Sequence, residues 1–205
     1  MVFDAKVNLS PDSYRKYYYA ATLLYEVDRD RYLRKTIKAS YAKFHDYEMQ
    51  SGNTELSLDK VVDVIRYFAS SKAVTNLYKV KLMKLMWYAD ALSFKKHSRA
   101  ITGLVYRALP MGAVPVEHDL IIDLRGVPCE EVDMGETNAY HFSLKEQSSF
   151  PSLTDEDKSI LDIVIGKLGR MTKDEIVSFM HEEQAYIETK PRDVIQFNYA
   201  ESLKI

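Results

Sequence analysis

Two short segments of this sequence place imidazole and carboxylate side chains next to each other. These are His181-Glu182-Glu183 near the C-terminus and Glu117-His118-Asp119 in the middle of the chain. Such groups can ligate a borderline metal or transfer protons in a hydrolysis. No spacing indicates that the two segments converge, so we predict no metal site. A hydrolase with a dispersed site at His181, Glu182 and His118 stays open as an alternative.

Motifs that carry other chemistry are missing from the sequence. It has no nucleophile elbow and no HExxH segment, and none of its seven glycines stands in a phosphate-binding loop. The one cysteine, Cys129, cannot form an internal disulfide, and the adjoining Glu130 and Glu131 disfavour a reactive thiolate. We therefore expect a protein that is not an enzyme and that uses no cofactor.

The composition is that of an ordinary globular domain. The chain has 205 residues, of which 46% are apolar and 28% charged, with a net charge of −2. That balance gives no general attraction to nucleic acid or to anionic membranes. The first residues lack the features of a signal peptide, so a cytoplasmic location is expected.

The segment around which the chain is organised is 76–94, which is apolar on nearly every side of a helix and contains Trp87 and Tyr88. Its three lysines argue against a membrane span, so we predict a central core helix. Two of its polar residues, Lys84 and Asp90, lie in apolar surroundings. We expect the Lys84 stem to run along the core and bring its amine to water, and Asp90 to need a partner.

The remaining elements follow from periodicity and from start and stop signals. A β-hairpin is predicted from 127–134 and 139–144, and 110–115 is predicted to be a fixed turn that continues neither a helix nor an inner strand. Ser10 is the expected N-cap of the first helix. That first helix includes 14–27, and further helices are predicted over 31–47, 58–69, 116–124, 154–168 and 172–183.

The predicted fold class is α+β and predominantly α-helical, with a central buried helix surrounded by helices and one small β-hairpin. The polar segment 50–54 is the clearest break in the chain. We place a helical N-terminal arm at 1–52 and the main domain at 53–205.

Charge is distributed unevenly along the chain. The segment 29–43 carries six bases and one acid, whereas 117–136 carries seven acids and one base. The two segments could pair within the fold or face a partner, and two solvated faces are the favoured interpretation. A DNA-binding regulator that uses 29–43 is the alternative function from this feature, although nucleic-acid binding is not favoured.

Four segments in the same order resemble one known family. They read KLMKLMWYADAL at 81–92, ITGLVYRALPMGAVP at 101–115, LTDEDKSILDIVIGKLGRMTKDEIVSFMHEEQAY at 153–186 and DVIQFNYA at 193–200. Together they are similar to the Panacea domain of SocA-like antitoxins, over roughly 58–205. The turn departs from the usual Gly-Pro-Val type, since its proline has moved to Pro115.

The resemblance implies a non-catalytic protein that binds and neutralises a toxin, expected from the adjacent gene. Some relatives instead hand a toxin to a cytosolic protease, which is kept as an alternative. Other relatives carry an upstream zinc-binding or helix-turn-helix segment, whereas 1–50 shows neither pattern. The family-motif residues are expected to be structural: Lys84, Trp87, Tyr88, Asp90, His181 and Glu182.

A toxin-binding face is predicted at the turn in the middle of the domain, with help from the N-terminal arm. A rigid turn flanked by an arginine and a methionine makes a plausible anchor for a partner. The predicted contact residues are Tyr106, Arg107, Met111, Gly112, Ala113 and Pro115.

Overall fold

A computed structural model describes residues 11–135, 138–144 and 148–205. The fold is α+β and predominantly helical, which confirms the predicted class. The helices are α1 (Pro11–Tyr41), α2 (Tyr47–Ser51), α3 (Leu58–Ser70), α4 (Lys79–His97), α5 (His118–Ile122), α6 (Asp155–Leu168), α7 (Lys173–His181), α8 (Gln184–Ile187) and a final 3-10 helix (Phe197–Ser202). The strands are β1 (Tyr106–Leu109), β2 (Gly112–Pro115), β3 (Cys129–Asp133) and β4 (Asn138–Phe142).

Helix α4 lies at the centre of the molecule. Every residue from 81 to 93 is buried, including the polar ones. Helices α3, α6 and α7, strands β2 and β4 and the final 3-10 helix all pack against it. A helix that is apolar on all sides needs such a surround, so the predicted central helix is confirmed.

Local sequence signals account for the helices around α4. Ser57 caps α3 by accepting a hydrogen bond from the Lys60 amide. Thr154 and Thr172 each form a capping box, with an acidic side chain three residues later, at the starts of α6 and α7. No helix in the part of the chain that the structure describes is both long enough and apolar enough to cross a bilayer.

The N-terminal arm differs from the prediction of two helices over 14–27 and 31–47. Helix α1 is continuous for 31 residues and ends at Tyr41, and α2 is a separate short helix. The expected break falls where Asp30 pairs with Arg34 one turn later, at 2.7 Å. Such an i,i+4 pair supports the helix across this point. The N-cap predicted at Ser10 lies outside the described residues.

The described residues form two antiparallel hairpins, where only one was predicted. The predicted hairpin is confirmed as β3–β4, with Cys129 opposite Phe142, although residues 136–137 of its turn lie outside the described ranges. The second hairpin, β1–β2, pairs Tyr106 with Pro115. The prediction that 110–115 is only a turn was therefore wrong from Gly112 onwards. Pro115 is tolerated because it ends an edge strand of a two-stranded ladder.

Candidate interaction surfaces

Lys84 is fully buried, which contradicts the prediction that its amine reaches water. Its Nζ donates a 3.1 Å hydrogen bond to the carbonyl oxygen of Ala113 in β2. Burial lowers the pKa of the amine to about 7. The prediction failed because it lacked the β1–β2 hairpin, which covers the end of this side chain.

Asp90 is also fully buried and has the partners that its burial requires. Its carboxylate accepts hydrogen bonds from the amides of Ile101 and Thr102, both at 2.8 Å, from Thr102 Oγ1 at 2.5 Å and from Tyr106 Oη at 2.7 Å. Burial nevertheless raises the pKa of Asp90 above its ordinary value. The Trp87 ring packs edge-on against Tyr106, with centroids 5.1 Å apart. The family-motif residues Trp87 and Asp90 thus hold the start of β1 against α4.

The six predicted contact residues divide into two groups. Tyr106, Gly112, Ala113 and Pro115 are buried, so these residues lie inside the hairpin packing and present no surface to a partner. Met111, at the hairpin turn, is 48% exposed. Arg107 is partly exposed and donates a 2.7 Å hydrogen bond to the carbonyl oxygen of Arg192. Only the last two residues stay candidates for direct contact.

An open groove lies between the first turns of α4 and the β1–β2 hairpin. Its volume is about 340 Å³. We call this the hairpin groove; its lining residues are Lys79, Val80, Met83, Lys84, Leu109, Pro110, Met111, Val114 and His118. Six of these are apolar, and Met111 forms part of the rim. The groove is therefore a place where a partner could bury an apolar side chain.

His118 stands at the polar end of the hairpin groove. Its Nδ1 is buried and makes no hydrogen bond. Asp119 Oδ1 lies 3.3 Å from this nitrogen, but the angles do not suit a hydrogen bond. Asp119 is instead hydrogen-bonded to Lys79. Burial lowers the pKa of the imidazole, which favours its neutral form.

The C-terminal histidine segment has separate local partners. The His181 ring stacks on Tyr186 with centroids 4.5 Å apart, and Glu182 forms an ion pair with Lys204 at 3.1 Å. Tyr88 of α4 approaches the same helix, with its ring 5.8 Å from that of Phe179. Over 11–135, 138–144 and 148–205 no group of three or more His, Cys, Asp or Glu residues is arranged to hold a metal ion.

The basic and acidic segments meet within the fold at one point. Arg29 of α1 forms an ion pair with Asp123 at 2.5 Å, and Asp30 accepts a hydrogen bond from the Arg125 amide. Arg34 pairs with Asp59 at 2.8 Å as well as with Asp30. The favoured interpretation of two separate solvated faces was therefore wrong for these residues. Two arginines of the candidate DNA-binding segment, Arg29 and Arg34, thus form ion pairs with carboxylates of the same chain.

Helix α1 exposes much of the apolar surface of the molecule. Its inner face is buried only from Leu33 onwards, through Ile37 and Tyr41. Nine large apolar side chains are exposed in the described part of the chain, and six of them belong to α1: Tyr18, Tyr19, Leu23, Leu24, Tyr25 and Tyr32. The sequence shows that this region is rich in tyrosine but not that the side chains are exposed, which depends on how far the helix extends beyond the domain.

The comparisons with known proteins identify one family. The model for "Antitoxin SocA-like, Panacea domain" matches residues 82–186, about half of the chain. That stretch runs from α4 to α8 and contains most of the hairpin groove, whereas α1 precedes it. No curated protein and no solved structure matches the chain.

Proposed function

Because the chain belongs to the SocA-like antitoxin family, Panacea domain, we propose that it neutralises a cognate toxin by direct protein–protein contact. In this proposal the chain acts in the cytoplasm, the adjacent gene encodes the toxin, and the antitoxin performs no catalysis. Family membership supports a role in a toxin–antitoxin system. The hairpin groove, which lies almost wholly within the matched stretch, supports direct contact.

The hairpin groove has the features of an anchor site. It is open and mostly apolar, and its volume lies in the range of about 300 to 1,000 Å³ that is usual for ligand sites. Arg107 and Met111 are accessible beside it, and arginine and methionine are enriched in protein interfaces. We assign the contact to these two residues together with the apolar walls of the groove.

Co-expression with the product of the adjacent gene tests the function. If the proposal is correct, the neighbour arrests growth alone, the chain restores growth, and the two proteins purify as a complex. Restored growth without a complex would favour delivery to a protease or transcriptional repression. If the product of the adjacent gene is not toxic, the proposal is contradicted, and the regulator and hydrolase alternatives are tested next.

The double replacement Arg107→Ala with Met111→Ala tests the assigned contact. Losing an interface anchor costs about 1 to 2 kcal/mol or more, which corresponds to roughly a tenfold or greater loss of affinity for the toxin. The matched control is Met134→Ala, since Met134 is also exposed, at 60%, but lies beyond the end of β3. Unchanged affinity and neutralisation in the double variant would remove this surface from the proposal.

A further inference from the structure

The outer edge of β3 is open. Strand β3 pairs with β4 in a two-stranded sheet. The far edge of β4 is covered, because the Phe142 amide donates a 2.9 Å hydrogen bond to the carbonyl oxygen of Leu77. Within the described residues, by contrast, no strand pairs with the other side of β3, along which Glu130, Glu131 and Asp133 are exposed. We call this side of the strand the β3 edge.

The main-chain groups of alternate residues point out of the β3 edge. In an antiparallel pair, residues that exchange hydrogen bonds with the partner strand alternate with residues that do not. Cys129 is of the second kind, because Phe142 opposite it directs its amide to Leu77. Glu131 and Asp133 follow at intervals of two, so their amide and carbonyl groups also point away from β4. Among the described residues, no main-chain group accepts a hydrogen bond from either amide.

Three carboxylates along the β3 edge have no basic partner. None of Glu130, Glu131 and Asp133 forms a salt bridge with another described residue. Neutral donors of the same hairpin hold two of these carboxylates. Glu131 Oε1 accepts a 2.6 Å hydrogen bond from Asn138 Nδ2, and Asp133 Oδ1 accepts one of 2.8 Å from the Gly135 amide. The edge therefore combines free main-chain groups with negative charge that no ion pair in the described chain neutralises.

The acidic side chains disfavour a second copy of this chain at the β3 edge. A free strand edge tends to pair with another strand, and charged side chains are one means of preventing this. Two β3 edges paired antiparallel about Glu131 would place Glu131 opposite Glu131, and like charges directly opposite each other destabilise a strand pair. A basic strand is attracted by the same carboxylates. The charges that exclude a second copy therefore select a basic partner.

We propose that the β3 edge binds an extended segment of a partner protein that carries Lys or Arg at alternate positions and forms a third antiparallel strand. Its main chain would bond to the free groups of Glu131 and Asp133. Because these two residues lie on one face of β3, basic side chains at every second position of the added strand face both carboxylates. In such strand addition, main-chain hydrogen bonds give affinity and alternate side chains give specificity. This contact goes beyond the proposed function and lies outside the hairpin groove.

Amide hydrogen exchange of the full chain, followed by NMR, tests the main-chain contact. The probe is a synthetic peptide of alternating lysine and threonine. One short strand is expected to bind weakly, with a dissociation constant near about 1 mM, so the peptide is added to about 5 mM. Exchange at the Glu131 and Asp133 amides should then slow about sixfold, which is the factor 1 + [L]/Kd. The amides of Glu130 and Val132 face β4 already and should change less.

Three modified peptides separate strand addition from simple charge attraction. A peptide with glutamate in place of lysine should bind at least about tenfold more weakly, because like charges then meet across the edge. In an antiparallel pair, the lysines opposite Glu131 and Asp133 also supply the main-chain donors. N-methyl groups on the lysine nitrogens should therefore abolish the protection. N-methyl groups on the threonine nitrogens, which point away from β3, are the matched control and should leave it unchanged.

Charge reversal on the protein completes the test. The double variant Glu131→Lys with Asp133→Lys should prefer the glutamate peptide, whereas Glu188→Lys, at an exposed acid beyond α8, should keep the wild-type preference. The proposal is overturned if the lysine peptide protects neither amide, if the glutamate peptide protects them equally, or if both kinds of N-methylation have the same effect. An unchanged preference in the double variant would overturn it too. These measurements use no toxin, so this contact and the antitoxin proposal can fail separately.

Discussion

Replacement of Lys84 with methionine is expected to increase the stability of the protein at pH 7. Lys84 is fully buried, and its pKa falls from 10.5 to about 7. That difference corresponds to about 4 to 5 kcal/mol, by which the charged amine destabilises the folded state. Methionine fills a similar space without charge. It leaves the Ala113 carbonyl without its hydrogen bond from Lys84, which costs about 1 to 3 kcal/mol. The burial cost is the larger effect, so we expect a net gain of roughly 2 to 3 kcal/mol.

The advantage of this variant should decrease as the pH rises. Between pH 7 and pH 10.5 the unfolded wild-type chain keeps the proton on residue 84 that the folded protein releases. Stability rises with pH wherever the unfolded state binds more protons, here by up to about 1.4 kcal/mol per pH unit. A methionine side chain at this position has no proton to release. Between pH 7 and pH 9 the free energy of unfolding of the wild type should therefore rise by about 2 kcal/mol relative to that of the variant.

Urea unfolding of both proteins at pH 7, 8 and 9 measures this difference, because groups other than Lys84 affect both alike. The matched control is Lys96→Met, on an exposed lysine of the same helix, whose stability should follow that of the wild type at each pH. The reasoning is refuted by a Lys84→Met variant less stable than wild type at pH 7. A stability difference that stays constant from pH 7 to pH 9 would refute it equally.

Two further predictions concern the packing of the segments around α4. Tyr106→Phe should lower the free energy of unfolding by about 1.5 to 3 kcal/mol, because it removes a hydrogen bond to the buried Asp90 carboxylate. A urea unfolding midpoint equal to that of the wild type within error would contradict this prediction. Gly103→Ala should destabilise the protein by about 1 to 3 kcal/mol or more, since φ is +74° and an added Cβ would lie 2.6 Å from main-chain atoms of Glu55. The control is Gly166→Ala in α6, where an added Cβ meets no atom within 4 Å and should stabilise the protein by about 0.5 to 1 kcal/mol. Equal shifts of the melting temperature in the two alanine variants would contradict the argument.

Elements determined by local patterns could be predicted from the sequence. Helix α4 followed from its apolar surface on all sides, and α6 and α7 from their capping boxes at Thr154 and Thr172. The β3–β4 hairpin followed from a glycine-containing turn and from the alternation of apolar and polar residues over 140–144. In each case the residues that form the element also contain the signal for it.

The β1–β2 hairpin could not be predicted, because its second strand carries turn signals. Gly112 and Pro115 are poor strand residues, and they pair with β1 because the hairpin as a whole packs against α4. The burial of Tyr106 depends in turn on its hydrogen bond to Asp90, sixteen residues earlier. Without these tertiary contacts, the sequence indicates an accessible turn where the structure has a mostly buried hairpin.

The polar residues within α4 explain how one helix organises the fold. Lys81 donates to two carbonyl oxygens, at 2.6 and 2.7 Å, in the loops before α4 and after α6. Lys84 holds β2, and Asp90 holds the segment that enters β1. Each of these three polar residues thus binds main-chain or hydroxyl groups of other segments. A wall of the hairpin groove is therefore held at Lys84 by a hydrogen bond whose donor amine destabilises the folded state by its burial. Lys84→Met should then gain stability yet leave the hairpin less firmly positioned, so its affinity for the proposed toxin should fall while its unfolding midpoint rises.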